Sequence, residues 1–263
     1  MNNAIGVFDS GVGGLTVARE IMRQLPNETI YYFGDVKNCP YGDKTKEEII
    51  KYTDRAVKFL IDKGVKMIVL ACNTATAAAL DYLQDKYDVP IIGVVQPGAR
   101  RAIQATENNK VLVLGTKFTA NSKVYDIEIE NINSEILVFD KACPAFVPFI
   151  ESEGNLDKEA TKNLLKETLS NTSNLGIDTV VLGCTHYPIL KKDIEEYYGS
   201  TIKVISSGRE AAREVSTVLG YAKLHQKRLN KKEHKFYISE ASENFNNIAS
   251  KWLNKEITAE VVK

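Results

Sequence analysis

The sequence predicts an α/β protein of two similar units, each a mainly parallel sheet flanked by helices. Three observations carry this expectation. Short apolar runs alternate with longer helical patterns, most of those runs are continuous, and one stretch of the chain echoes another. Continuous runs mark strands buried on both faces, as parallel sheets require.

In order, the expected strands are 4–8, 29–33, 67–70, 91–94, 110–114, 136–139, 179–182 and 203–205, followed by 236–239 in the tail. The first strand runs into a glycine-rich turn, Asp9-Ser10-Gly11-Val12-Gly13-Gly14. That turn lacks a Gly-Lys-Ser/Thr ending and has Thr16 where a dinucleotide fingerprint wants glycine, so it is read as a bend and not a phosphate loop. Asn38-Cys39-Pro40-Tyr41-Gly42 has turn composition and suits a lid. Ile49, Thr53, Ala56, Val57 and Leu60 share one helical face, as do Ala211, Ala212, Val215, Val218, Leu219 and Ala222. A last helix is expected around Trp252.

The echo divides the chain. Val65-Lys66-Met67-Ile68-Val69-Leu70-Ala71-Cys72-Asn73-Thr74 parallels Ile177-Asp178-Thr179-Val180-Val181-Leu182-Gly183-Cys184-Thr185, and Val7-Phe8-Asp9-Ser10-Gly11 parallels Leu112-Val113-Leu114-Gly115-Thr116. The expected seam lies near Gln96-Pro97-Gly98, giving residues 1–96 with 208–263 as one domain and 97–207 as the other.

Composition narrows the function. Thirty-four basic and 34 acidic residues leave no net charge, which argues against coating nucleic acid or an anionic membrane. The basic tract His225, Lys227, Arg228, Lys231, Lys232 and Lys235 has little aromatic interleaving and reads, with His234, as a solvated helix end. No apolar run is long enough to span a membrane, and the opening Met1–Gly6 stretch lacks a signal-peptide pattern. Four cysteines in 263 residues form no disulfide framework, so a cytoplasmic enzyme with free thiols is expected.

Cys72 and Cys184 are the sharpest chemical signal. Each follows a predicted buried strand, where open α/β sheets place their ligand crevices. Asn73 or Thr74 is positioned to cap the alanine-rich helix that follows Cys72, and a thiol at a helix N-terminus feels the positive dipole end. Taken singly, either cysteine would be a buried structural thiol; in matched contexts the pair points to function. In an extended segment His186 shares a side with Cys184 and can move a proton. Asp9 ends its strand as a carboxylate facing the crevice, while Cys39 and Cys143 precede prolines and take structural roles. No Cys-x-x-Cys exists and the Cys/Cys/His spacing fits no common zinc site, so no metal is expected. A Cys–His–Asp hydrolase would leave the second matched cysteine unexplained. Two opposed thiols suit an acid and a base on opposite faces of one carbon, as racemisation needs, and they make pyridoxal phosphate unnecessary. Asn73, Thr74, Thr116, Thr119 and Thr185 could supply donors for the developing charge.

At these residues the chain resembles a known family. Asp9-Ser10-Gly11-Val12-Gly13-Gly14-Leu15, Pro40-Tyr41-Gly42, Ala71-Cys72-Asn73-Thr74-Ala75 and Leu182-Gly183-Cys184-Thr185-His186-Tyr187-Pro188 are similar to signature segments of the bacterial glutamate racemases, in the cofactor-independent aspartate/glutamate racemase family. Gly115-Thr116 with Thr119, Ser122 and Tyr125, and Cys143-Pro144 with Phe146 and Glu151, resemble further blocks. Lys117-Phe118 and the aspartate-free 204–208 segment depart from the pattern and touch only loop shape.

The resemblance implies two α/β domains with the active site in the cleft between them. It implies cofactor-free interconversion of L- and D-glutamate, supplying D-glutamate to peptidoglycan, in a homodimer whose partner molecule is the small substrate. Cys72 would act on the D enantiomer with Asp9 assisting, and Cys184 on the L enantiomer with His186 assisting. Ser10, Tyr41, Gly42, Asn73, Thr74, Thr116, Thr119, Thr185 and His186 would bind substrate, with Glu151 behind them. An aspartate racemase of the same plan, or a bilobal binding protein without catalysis, are the alternatives.

Overall fold

The structure is a computed structural model that describes residues 4–152, 157–199, 201–226 and 233–262. Lys227, Arg228, Lys231 and Lys232 of the basic tract, and Met1 to Asn3, lie outside the described residues. The chain forms two compact units, Met1–Val94 with Gly208–Lys263, and Val95–Ser207. The division thus falls two residues before the expected seam. Gln96-Pro97-Gly98 lies in the first turn of a helix.

The first unit contains β1 (Ile5–Asp9), α1 (Leu15–Gln24), β2 (Ile30–Gly34), α2 (Lys46–Asp62), β3 (Met67–Leu70), α3 (Asn73–Lys86) and β4 (Ile91–Gly93). The second contains α4 (Val95–Ala105), β5 (Lys110–Gly115), α5 (Lys117–Asn121), α6 (Val124–Glu130), β6 (Leu137–Ala142), α7 (Phe146–Ser152), α8 (Lys158–Leu169), β7 (Thr179–Gly183), α9 (Lys191–Tyr198) and β8 (Lys203–Ser206). The chain re-enters the first unit through α10 (Ser207–Tyr221), then β9 (Lys235–Ile238), α11 (Glu243–Leu253) and β10 (Glu260–Val261). Most strands lie within a residue or two of their expected bounds; β10 was not anticipated.

Among the described residues, the first sheet has the order β10-β9-β2-β1-β3-β4 and the second β6-β5-β7-β8. Every pairing is parallel. That is why the strands read as unbroken apolar runs: Ile5 through Asp9 and Thr179 through Gly183 are buried at every position. The run β2-β1-β3-β4 of the first sheet and all four strands of the second share one winding. The chain goes from a central strand to one side, then crosses to the other. The sequence echo maps onto equivalent strands, β1 with β5 and β3 with β7. Each sheet therefore has a switch point, between β1 and β3 in one unit and between β5 and β7 in the other, where a crevice opens beyond the carboxyl ends.

Each unit has its own core. In the first, α1 and α10 lay Leu15, Ala18, Ile21, Ala211, Val215 and Leu219 against Ile5, Val7, Tyr32 and Val69 of the sheet. In the second, Ala99 and Ala102 of α4 pack with Val111, Val113, Tyr125 and Val181. His234 is not simply solvated. Its Nδ1 accepts the Ile30 N–H at 3.1 Å, and burial lowers its pKa. No helix among the described residues is long and apolar enough to cross a membrane.

Candidate active site

In the first unit the groups of interest gather beyond β1 and β3. Asp9 is the last residue of β1 and is fully buried. Its Oδ2 accepts the Gly11 N–H at 3.1 Å, which folds the glycine-rich turn back onto the carboxylate. A Cβ on Gly14 would lie 2.4 Å from Asp9 Cβ and 2.9 Å from Tyr32 Oη, so this close approach requires glycine. Tyr32 Oη donates to Gly11 O at 2.7 Å and holds the same turn from β2. Burial, reinforced by Asp9, Cys72 and Cys39, keeps its phenol well above the ordinary range.

Cys72 follows β3 and is itself the N-cap of α3, contrary to the expected cap at Asn73 or Thr74. Its backbone is extended (φ −69°, ψ 120°), and Sγ accepts the Ala75 N–H at 3.4 Å. Asn73 and Thr74 are instead the first two helical residues, both buried. The sulfur is thus coupled directly to the positive end of a 14-residue helix. Cys72 Sγ also donates to Ser10 Oγ at 3.7 Å, which joins the β1 turn to the β3 end.

The 38–42 turn is two short 3-10 segments, Val36–Asn38 and Tyr41–Asp43, on either side of Cys39-Pro40. Tyr41 is buried, and its hydroxyl is committed to Asp35 Oδ2 at 2.6 Å. Asn38 Nδ2 meets both Asp35 oxygens at 3.0 Å. Burial and Asp35 raise the Tyr41 phenol, with smaller contributions from Cys72 and Asp9. Gly42 is half-buried beside it. Asp35 and Tyr32 escaped the sequence reading. The available signal was position: Asp35 lies directly after a strand end, as Asp9 ends β1.

In the second unit the equivalent groups lie beyond β5 and β7. Thr116 follows β5 and caps α5, accepting the Thr119 N–H at 3.2 Å; the two hydroxyls are 3.1 Å apart. Cys184 and Thr185 follow β7 and are buried. The segment is not extended as expected. His186 has helical dihedrals (φ −78°, ψ −33°) and enters the 3-10 turn Tyr187–Leu190. The turn nonetheless brings His186 Nδ1 within 3.9 Å of Cys184 Sγ.

Glu151, near the end of α7, completes the group: its Oε1 lies 2.7 Å from His186 Nε2. Burial disfavours the imidazolium. Hydrogen bonds to Cys184 and Glu151, with their charges, outweigh it and push the histidine pKa up to about 10. The two partners thus favour the imidazolium form of His186, which is held between a sulfur and a carboxylate. Cys143 is fully buried, which pushes its thiol up to about 12.

Each unit thus places a buried cysteine sulfur just beyond the equivalent strand, Cys72 after β3 and Cys184 after β7, with proton-handling and hydrogen-bonding groups around it. Asp9, Ser10, Tyr41 and Cys72 come together in the first; Glu151, Cys184 and His186 come together in the second, where Thr116 and Thr119 pair beyond the neighbouring strand. Such a set can remove a proton, deliver one, and bind carboxylate oxygens.

Comparison with known proteins places this geometry. The sequence model of the Asp/Glu/Hydantoin racemase family matches residues 5–215. A protein of Staphylococcus epidermidis named glutamate racemase is 49% identical over 257 residues, 98% of this chain and 96% of that protein. Among solved structures, a glutamate racemase isoform of Bacillus anthracis superposes with a TM-score of 0.95 at 40% identity, covering 99% of this chain and 97% of that one. The Francisella tularensis glutamate racemase, solved with D-glutamate, gives 0.90 at 36% identity over 100% and 98% of the two chains.

Proposed function

The chain belongs to the Asp/Glu/Hydantoin racemase family, and on that premise we propose that it interconverts L- and D-glutamate by two-base proton transfer at Cα. The observation that carries the reading is the matched pair of strand-end sulfurs, Cys72 and Cys184, in a chain similar over nearly its whole length to proteins named glutamate racemase. In this scheme Cys184 takes the Cα proton of L-glutamate while Cys72 delivers one to the opposite face. The D enantiomer reverses the roles.

The Cα–H of an amino acid is a very weak acid, so the charge that develops on the carboxylate must meet preorganised donors. Asn73, Thr74, Thr116, Thr119 and Thr185 take that part. Asp9 assists proton movement at Cys72. His186, held by Glu151, assists at Cys184, where its raised pKa supports a role as proton donor. Tyr41, whose hydroxyl donates to Asp35, and Gly42 bind substrate in this scheme. The D-glutamate formed supplies peptidoglycan synthesis.

The test is turnover in D2O without added cofactor. L-Glutamate must yield D-glutamate carrying solvent deuterium at Cα, and Cys72→Ala and Cys184→Ala must each abolish turnover in both directions. Product without deuterium, or near-normal turnover in either variant, rejects the scheme. Aspartate assayed alongside glutamate decides substrate choice.

A further inference from the structure

We propose that Tyr187 is a positioning residue for the Cys184 half of the site, a strut that sets Thr116, Glu151 and His186 against one another; this rests on the racemase reading. In the second sheet the ladder closes at Gly115↔Ala142 and Gly115↔Gly183. Tyr187 fills the fork beyond it. Its hydroxyl lies 3.1 Å from Gly115 O and 2.9 Å from Cys143 O, a side-chain donor added to two carbonyls that also accept the Cys143 and Phe146 N–H groups at 2.9 and 3.2 Å.

Each contact leads to a group in the site. Gly115 precedes Thr116. Cys143 opens the turn into α7, whose far end carries Glu151. The Tyr187 ring meets Phe146, the first residue of α7, edge-on at 5.1 Å and 70°. His186 is the residue before Tyr187 in the chain. One fully buried side chain therefore touches the support of the threonine donor and the start of the helix that holds the carboxylate, and it belongs to the residue next to the histidine. Fully buried, and with its hydroxyl shared between two carbonyls, Tyr187 is a fixed point from which the 2.7 Å Glu151–His186 and 3.9 Å His186–Cys184 distances are set.

Tyr187→Phe keeps the ring and removes only the hydroxyl. Two readouts that a packing role would leave unmoved decide the matter. The first is the rate at which iodoacetamide alkylates Cys184, read by peptide mass spectrometry with Cys72 as the internal reference. We expect the Cys184 rate to change by about fivefold, the factor that one net hydrogen bond represents, with the Cys72 rate constant. The second is the primary isotope effect with L- and D-[2-2H]glutamate, which should rise for the L substrate relative to the D.

The Glu151→Gln and Tyr187→Phe effects on kcat should be less than additive, because both act through His186. Phe146→Leu, which keeps the hydroxyl and loosens the ring contact, should shift the same readouts in the same direction, and serves if Tyr187→Phe does not fold. A lowered Tm with unchanged alkylation ratio, unchanged isotope asymmetry and additive kcat effects overturns the proposal. If the native protein does not racemise glutamate, the functional reading falls while the alkylation ratio still decides the role of Tyr187.

Discussion

Replacing Glu151 by glutamine removes one charge and almost no volume, and its consequence can be worked through. His186 is 5% exposed in its side chain, with Glu151 Oε1 at 2.7 Å on one nitrogen and Cys184 Sγ at 3.9 Å from the other. Burial alone would depress its pKa below 6.5; the two partners reverse this and bring it to about 10. An opposite charge at such range moves a pKa by about 1–3 units. Loss of the carboxylate charge therefore brings His186 down by about 2 units, or about 3 kcal/mol of imidazolium stabilisation.

In the assay, the basic limb of kcat/KM for L-glutamate should move to lower pH by that amount, and the His186 titration followed by 15N NMR should move with it. The sign for stability follows from linkage. A folded-state pKa above the unfolded value stabilises fully below about pH 6.5, and the effect is lost as pH rises through about 10. The native protein should thus exceed the variant in unfolding free energy by a constant margin up to about pH 8, a margin that closes by about pH 10. A basic limb that stays in place or moves upward refutes the reasoning, as does a native His186 that titrates near 6.5.

Two further outcomes follow from geometry. Gly14→Ala places a methyl 2.4 Å from Asp9 Cβ, so the turn must shift and carry the carboxylate with it. Turnover should fall by about 100-fold, the scale of a 1 Å misplacement, with unaltered kcat/KM counting against the assignment of Asp9. Lys66→Met strips Glu28 of its cation in a pair 2.6 Å long whose side chains are 8% and 2% exposed. Glu28 keeps the Gln226 N–H at 2.8 Å and His225 Nδ1 at 4.0 Å, and urea unfolding should show a loss of about 3–5 kcal/mol, much of it restored by adding Glu28→Gln. A loss under about 1 kcal/mol would mean the charge is better solvated than its burial indicates.

Much of the fold was legible because parallel strands are specified locally. Runs such as Met67-Ile68-Val69-Leu70 and Thr179-Val180-Val181-Leu182 are apolar at every position, and each ends beside a cysteine. The paired sulfurs, Asp9 and the threonines could be picked out for the same reason: each lies within a few residues of a strand end, where crevices form. Local rules failed where two neighbours competed for one role. Asn73 is the better cap by residue type, yet Cys72 holds the extended dihedrals and its sulfur takes the Ala75 N–H. The spacing of Cys184 and His186 was read as strand-like, and the chain had already turned.

The sequence by itself determined the order of strands and helices, the internal duplication, and which strand ends carry sulfur, since these depend on periodicities a few residues long. Only the tertiary structure decided that Glu151 reaches His186 across 35 positions, that Tyr41 spends its hydroxyl on Asp35, and that Tyr32 and Tyr187 brace the turns beside the two cysteines. Those contacts are set by which strands lie side by side and how deeply they bury what they hold. The same burial, opposed by two partners distant or turned in the chain, gives His186 a proton affinity that no local pattern encodes.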